Sequence, residues 1–274
     1  MKEFHPNDCE IDHFDKAVAD LPCAILAPAA RALWIEEGIL QIPRVYDRPR
    51  LAALGAALAG VADPGASATR AGNRGLLAHS RPVLELAVSD PALALARALI
   101  GGRARPVKAT LFDKPAGANW TLPWHQDLTV ALKGVAEAPG FSRWSLKSGV
   151  AHAEAPLGLL KRMVALRIHL DDCDAGNGPL LVVPGSHRRG KLAAAARRDL
   201  PAEAGVRLCE AEAGDVLAMH PLLLHRSGPA EAPHHRRVIH LEYAAAALPE
   251  GLAWRYDPLA EAGERAASRP KPCG

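Results

Sequence analysis

Two side chains of the metal-binding kind stand two residues apart in Trp124-His125-Gln126-Asp127, downstream of the apolar run Val107–Phe112. On an extended backbone, residues i and i+2 point to one face, so the His125 imidazole and the Asp127 carboxylate can reach one ion together. A third candidate ligand comes about a hundred residues later, in Met219-His220-Pro221-Leu222-Leu223-Leu224-His225-Arg226-Ser227-Gly228, and the basic pair Arg236-Arg237 follows. Two histidines and one carboxylate leave positions open on a metal, the facial arrangement of non-haem Fe(II) oxygenases. A His-x-Asp pair alone equally describes a solvated strand end with a hydrogen-bonded histidine. The order of the parts argues for a site: ligand pair, Gly-rich turn, distal histidine on a strand, then an arginine.

These residues need a scaffold, and the composition bounds it. The chain has 274 residues, 49% of them hydrophobic and 4% aromatic, so Leu, Val and Ala must fill a sizeable core. One domain is expected: residues 1–105 a mainly helical buttress, 106–245 the core, 246–274 a C-terminal extension. A formal charge of +3 is too mild to imply nucleic acid, and the basic run His187-Arg188-Arg189-Gly190-Lys191 reads as a solvated face. Five scattered cysteines (Cys9, Cys23, Cys173, Cys209 and Cys273) without a Cys-x-x-Cys pair indicate neither a disulfide framework nor a zinc knuckle. Residues 1–25 hold no continuous apolar stretch and no run is long enough to span a bilayer, so a cytoplasmic protein without a membrane partner is expected.

The first hundred residues read as helices: Ala29–Glu37 closed by Gly38, Arg50–Leu58, and Pro82–Ile100 closed by Gly101-Gly102, with a short strand at Ile39–Ile42. From Val107 the pattern turns to strands: Val107–Phe112, Met163–Leu170, Leu180–Val183, Asp215–Met219 and Arg237–Tyr243, separated by turns such as Asn177-Gly178. Helices followed by many short strands predict an α+β protein with a jelly-roll or cupin-like core, the double-stranded β-helix. Residues 128–160 lack clear periodicity and read as a lid beside the ligand pair. Its Phe141, Trp144 and Lys147 are candidates for closing over substrate, the alternative being that they pin the loop to the barrel.

The series Leu111-Phe112-Asp113-Lys114-Pro115, Asn119-Trp120, Trp124-His125-Gln126-Asp127, Leu170-Asp171-Asp172, Asn177-Gly178-Pro179-Leu180, Pro184-Gly185-Ser186-His187, Gly214-Asp215-Val216 and His225-Arg226-Ser227-Gly228 resembles the phytanoyl-CoA dioxygenase family of Fe(II)- and 2-oxoglutarate-dependent oxygenases, from Ile35 to Tyr243. The resemblance implies iron ligands at His125, Asp127 and His225. It places the 2-oxoglutarate clamp eleven residues beyond the distal histidine, at Arg236, whose planar fork suits a carboxylate, with Ser227 assisting. By position it adds Thr110, Arg167 where many members carry tryptophan, and Arg74 by spacing. Halogenases resembling this family replace the carboxylate ligand with a small residue. Asp127 is present, which favours hydroxylation of a small molecule with O2 and release of succinate and CO2, while desaturation and ring formation would use the same ligands.

Other readings differ in what they require. A catalytically silent cupin-like binding module would have lost a ligand or the arginine, and a zinc-dependent hydrolase using the same ligands would have no need of Arg236. Among competing residues, His220 lacks the His-x-Ser context, His187 reads as structural in its turn, and His152, His169, His234, His235 and His240 read individually as satisfied or solvated. Arg237 must face away from Arg236 on a strand.

Overall fold

The computed structural model describes residues 27–59, 73–114, 121–147, 149–230 and 235–260. The readings made for residues 1–25, Asn119-Trp120, His234, and Cys9, Cys23 and Cys273 fall outside them. The helix Pro28–Glu37 opens with proline in its first turn, where the missing N–H costs nothing, and stops at Gly38 in the left-handed conformation, φ 73°. Asp47 caps the next helix, Arg48–Leu58, by accepting a hydrogen bond from the Arg50 N–H at 2.8 Å. The segment read as one helix over Pro82–Ile100 is two, Arg81–Val88 and Ala92–Ile100. The break falls at Ser89-Asp90-Pro91, because proline offers no N–H and disfavours helical backbone in the residue before it.

Thirteen strands are described: β1 (Ile39–Ile42), β2 (Asn73–Arg74), β3 (Arg105–Lys114), β4 (Leu122–His125), β5 (Thr129–Leu132), β6 (Ser142–Lys147), β7 (Val150–Glu154), β8 (Met163–His169), β9 (Leu180–Val182), β10 (Arg207–Cys209), β11 (Val216–Met219), β12 (His225–Ser227) and β13 (Arg236–Ala244). They form a six-stranded sheet in the order β1-β11-β8-β13-β3-β2, a four-stranded sheet β10-β9-β12-β4 and a three-stranded sheet β5-β7-β6. The first two are the walls of the expected double-stranded β-helix, and a cavity between them is lined from both, by Phe112, Arg167, Arg236 and His240 on one side and His125, Leu180, His225 and Ser227 on the other.

Strand alternation divides the six-stranded sheet into two unlike faces. Ala109, Leu111, Leu166, Ile168, Ile239, Leu241 and Tyr243 point outward and are buried with Leu54, Leu76, Val83, Leu86 and Leu95 of the N-terminal helices. The Tyr243 hydroxyl donates to the Ala87 carbonyl at 2.9 Å. The inward row holds Lys108, Thr110 and Phe112 on β3, Arg167 and His169 on β8, and Arg236, His240 and Glu242 on β13, with Thr110 opposite His240 and His240 opposite Arg167. Each fully buried Leu or Ile outside contributes roughly 1.5–3 kcal/mol. A one-residue slip would turn that face to the interior and forfeit it, so the apolar side fixes the register that the polar side uses.

Residues 128–160 are not the aperiodic lid expected from sequence. They hold β5, β6 and β7 and the short helix Leu157–Leu160. The alternation was masked because β6, Ser142-Arg143-Trp144-Ser145-Leu146-Lys147, is an edge strand with most side chains at the surface. Cys173 and Cys209 are buried free thiols. Among the described residues, no helix is long and apolar enough to cross a membrane.

Gly214 joins the helical layer to the sheet. Its carbonyl accepts from the Val45 and Tyr46 N–H groups at 2.9 and 3.1 Å, its φ is 99°, and an added Cβ would meet the Tyr46 carbonyl oxygen at 2.2 Å. Gly214→Ala therefore combines a backbone clash with an unfavourable φ, and is expected to lower unfolding stability by about 2 kcal/mol or more, read from chemical denaturation.

Candidate metal and cosubstrate site

His125 and His225 are direct cross-strand partners on β4 and β12, which sets their rings side by side with centroids 4.1 Å apart. Asp127 lies just beyond the end of β4 rather than on it. Its N–H donates to the Pro221 carbonyl at 2.8 Å, turning the chain so that the carboxylate faces both rings. The ligand atoms of His125, Asp127 and His225 all lie within 4.8 Å of one another, with carboxylate oxygens 3.9 Å from His125 Nε2 and 3.7 Å from His225 Nε2. Gln126, between the ligands, points the other way and is buried. Its amide donates to the Leu222 and Gly190 carbonyls at 2.6 and 2.8 Å and accepts from the Leu192 N–H at 2.8 Å, so the residue that separates the two ligands also fastens them to the loops behind.

The imidazoles are held in the tautomer that binding to a cation requires. His125 Nδ1 lies 2.7 Å from the Pro123 carbonyl and His225 Nδ1 2.8 Å from the Leu223 carbonyl. A carbonyl only accepts, so each Nδ1 carries the hydrogen and each Nε2 lone pair faces Asp127. Burial, reinforced by His125, lowers the His225 pKa to about 4, which keeps its lone pair free. Burial works to raise the Asp127 pKa, but the positive charge that His225, His125 and His240 carry when protonated, together with Lys108, outweighs it and holds the carboxyl well below the usual carboxylate range.

His240 lies outside the candidate triad. Its Nδ1 lies 3.4 Å from Arg167 Nη1, and a guanidinium only donates, so Nε2 carries the hydrogen. That nitrogen is 3.8 Å from Asp127 Oδ2 and 3.7 Å from Glu242 Oε1. The N–H side of His240 thus faces the same Asp127 oxygen that His225 faces.

Next to the triad, the cavity gathers Arg167, Arg236, Ser227 and Phe112. Arg236 is 3% exposed and Arg167 7%. Arg236 Nη1 donates to the Gly178 carbonyl and, at 3.4 Å, to that of Asn177; neither guanidinium has a carboxylate partner among the described residues. Burial, with Arg236 beside it, lowers the Arg167 pKa to about 10. The Arg167 and Arg236 Nε atoms, the Ser227 hydroxyl and both His169 ring nitrogens are buried without a hydrogen-bond partner among the described residues. Burying two guanidiniums and their donors uncompensated is costly, and a dianion carrying several oxygens is the species that would answer the guanidiniums and the Ser227 hydroxyl.

Of the other residues singled out from sequence, Arg74 on β2 is opposite Thr110, and Thr110 is buried on the inner face opposite His240. Phe141 and Trp144 stack at 6.5 Å and pack on the apolar cluster under the three-stranded sheet, so of the three substrate candidates only Lys147 lies with the interior charges. Arg237 faces away from Arg236, paired with Asp171 through bonds of 2.7 and 2.9 Å. His220 packs on His187 and Trp34 and accepts from the Leu222 N–H at 3.1 Å, apart from the triad. Sequence reasoning passed over His169, His240, Glu242 and Lys108. The missed signal is phase: His240 and Glu242 stand four and six residues beyond Arg236, and Lys108 two before Thr110, all in register with residues already chosen for the interior.

The family model described as Phytanoyl-CoA dioxygenase (PhyH) matches residues 35–238. L-proline trans-4-hydroxylase of Streptomyces griseoviridis is 29% identical over 185 residues, 56% of this chain and 59% of that enzyme. The chain thus matches less than two thirds of that relative's length. Among solved structures, EctD from S. alaskensis in its apoform aligns with a TM-score of 0.63 at 21% identity over 85% of each chain. The same protein is known with bound Fe and with 2-oxoglutarate and 5-hydroxyectoine. SnoK, a non-heme alpha ketoglutarate dependent carbocyclase from nogalamycin biosynthesis, aligns with a TM-score of 0.62 at 19% identity over 87% of this chain and 90% of its own.

Proposed function

Since the chain belongs to the phytanoyl-CoA dioxygenase family of iron- and 2-oxoglutarate-dependent oxygenases, we propose that it hydroxylates an unactivated C–H bond of a small molecule, with release of succinate and CO2. The observation that carries this reading is the adjacency of two things: a His-Asp-His triad with both Nε2 lone pairs turned inward, and a chamber whose two buried guanidiniums have no carboxylate partner among the described residues. His125, Asp127 and His225 would hold Fe(II), and Arg236 with Ser227 would hold the far carboxylate of 2-oxoglutarate, with Arg167 and Thr110 lining its path. Iron and 2-oxoglutarate, when bound, supply the activation of O2 that oxidises the C–H bond.

The protein's own part is placement and charge. The carbonyls of Pro123 and Leu223 fix the ligand rings, Pro221 and His240 fix Asp127, and Gln126 ties the intervening turn to the scaffold. The two guanidiniums compensate a dianion in a site largely withdrawn from water, where a charge pair is worth more than at the surface. Neither a silent barrel nor a zinc hydrolase explains this chamber, since neither calls for two buried arginines beside the triad that have no carboxylate partner among the described residues.

The purified protein supplied anaerobically with Fe(II) and 2-oxoglutarate is expected to develop a visible charge-transfer absorption, and to form succinate on addition of O2 and substrate. Absence of both the absorption and succinate across a broad substrate panel would falsify the assignment.

A further inference from the structure

The inward row of charges continues past the triad on the side away from Arg236. Glu242 on β13 is opposite Lys108 on β3, and their side chains meet at 2.5 Å, 7% and 18% exposed. This pair neutralises itself. Two further cations do not: Arg74, opposite Thr110 on β2, and Lys147, at the end of β6. Both are half-buried, and neither has an ion-pair or hydrogen-bond partner among the described residues.

Lys147 comes to this row from the three-stranded sheet, which packs on β3 through β5 and carries β7 and β6 beside it. Burial first, then Lys108 and Arg74, lower its pKa, while Glu242 and Asp127 act the other way. His152 of β7 stands between Ala131 of β5 and Ser145 of β6 in the same sheet. It is buried, its Nδ1 donates to the Val150 carbonyl at 3.0 Å, and burial together with Lys108, Lys147 and Arg74 lowers its pKa to about 4, leaving it neutral. Glu242 offsets one of the charges on Lys108, Arg74 and Lys147, and even with Asp127 counted against them a surplus of one positive charge is left. Partly desolvated cations of this kind are compensated when an anion enters. The span is short: Glu242 is two residues along β13 from His240, roughly 7 Å.

Resting on the function proposed above, we infer that the primary substrate is a small carboxylic acid whose carboxylate is received by Lys147 and Arg74, over the Lys108–Glu242 pair, with the C–H bond to be oxidised lying toward the triad. The chamber beyond Arg236 takes the cosubstrate's far carboxylate, and this one takes the substrate's. Arg74 is thereby assigned to the substrate rather than to 2-oxoglutarate.

The test uses the full chain loaded with Ni(II) and 2-oxoglutarate, titrated calorimetrically with the proteinogenic L-amino acids and a series of short carboxylic acids, each beside its carboxamide. At least one acid is expected to bind at least tenfold more tightly than its amide. Lys147→Glu should lose that acid by tenfold or more while 2-oxoglutarate affinity stays within twofold, and Lys147→Arg should retain it. Lys147→Met, with an unchanged melting temperature, guards against a folding artefact and should also weaken the acid. Arg74→Met should weaken the acid and not 2-oxoglutarate. The inference is overturned if no acid outbinds its amide, if Lys147→Glu leaves the preference intact, or if Arg74→Met weakens 2-oxoglutarate instead. Failure of 2-oxoglutarate to bind the Ni(II)-loaded wild type, read in the first titration, is a separate result that overturns the underlying function.

Discussion

Asp127→Ala is expected to abolish iron binding and succinate formation while leaving the fold intact. The carboxylate is the only anionic member of the triad, the other two being imidazoles held by backbone carbonyls. Changing a residue that merely orients a metal ligand costs about 10–100-fold in metal affinity or activity, so loss of the ligand itself should exceed a hundredfold. The fold should survive because the contact that shapes this turn, the Asp127 N–H to the Pro221 carbonyl at 2.8 Å, is made by the backbone, and Gln126 keeps its three bonds. The check is metal stoichiometry beside a thermal melt and a succinate assay. A variant that melts like the wild type and still binds one iron tightly would remove Asp127 from the ligand set. His240→Leu should be milder, within about 10–100-fold, since it removes a brace and not a ligand.

How far the sequence reveals this site depends on what kind of signal each residue leaves. His125, Asp127, His225 and Arg236 are visible because their types are rare in strand interiors and their order is ligand pair, turn, ligand, arginine. The six-stranded sheet is visible because Val, Ile and Leu alternate on β3, β8 and β13 under a helical layer. The fault in the Pro82–Ile100 helix was marked by Asp90-Pro91, but Leu and Ala on both sides carried the helical pattern across it. Residues 128–160 hid a sheet because an exposed edge strand has no apolar face to alternate. His240 and Glu242 were hidden differently. Taken singly, a histidine or glutamate in an apolar run reads as tolerated; they acquire a role only once β13 is phased by Arg236, and the pairing of Glu242 with Lys108 crosses to another strand. Tertiary pairing of this kind leaves no local trace.

Arg236→Met is expected to move two measurements in opposite directions. In the absence of cosubstrate, Arg236 is a buried cation beside a second one, Arg167, whose pKa burial and Arg236 together lower to about 10. Its hydrogen bonds go to the Gly178 and Asn177 carbonyls, which satisfy donors without compensating charge. An apolar side chain of similar volume removes the desolvation penalty of a buried cation, roughly several kcal/mol per ion, so the variant should melt at or above the wild-type temperature when no ligand is added. With 2-oxoglutarate the sign reverses. Truncating one partner of a buried, hydrogen-bonded charge pair costs about 2–5 kcal/mol, which corresponds to a loss of affinity of roughly 30-fold to several thousand-fold. Added 2-oxoglutarate should then raise the melting temperature of the metal-loaded wild type far more than that of the variant. Arg236→Lys should fall between them, since an ammonium keeps the charge but cannot present two parallel donors to a carboxylate. A variant with a lowered ligand-free melting temperature and unchanged 2-oxoglutarate affinity would make Arg236 a structural residue, and the unpartnered charge in this chamber would need another explanation.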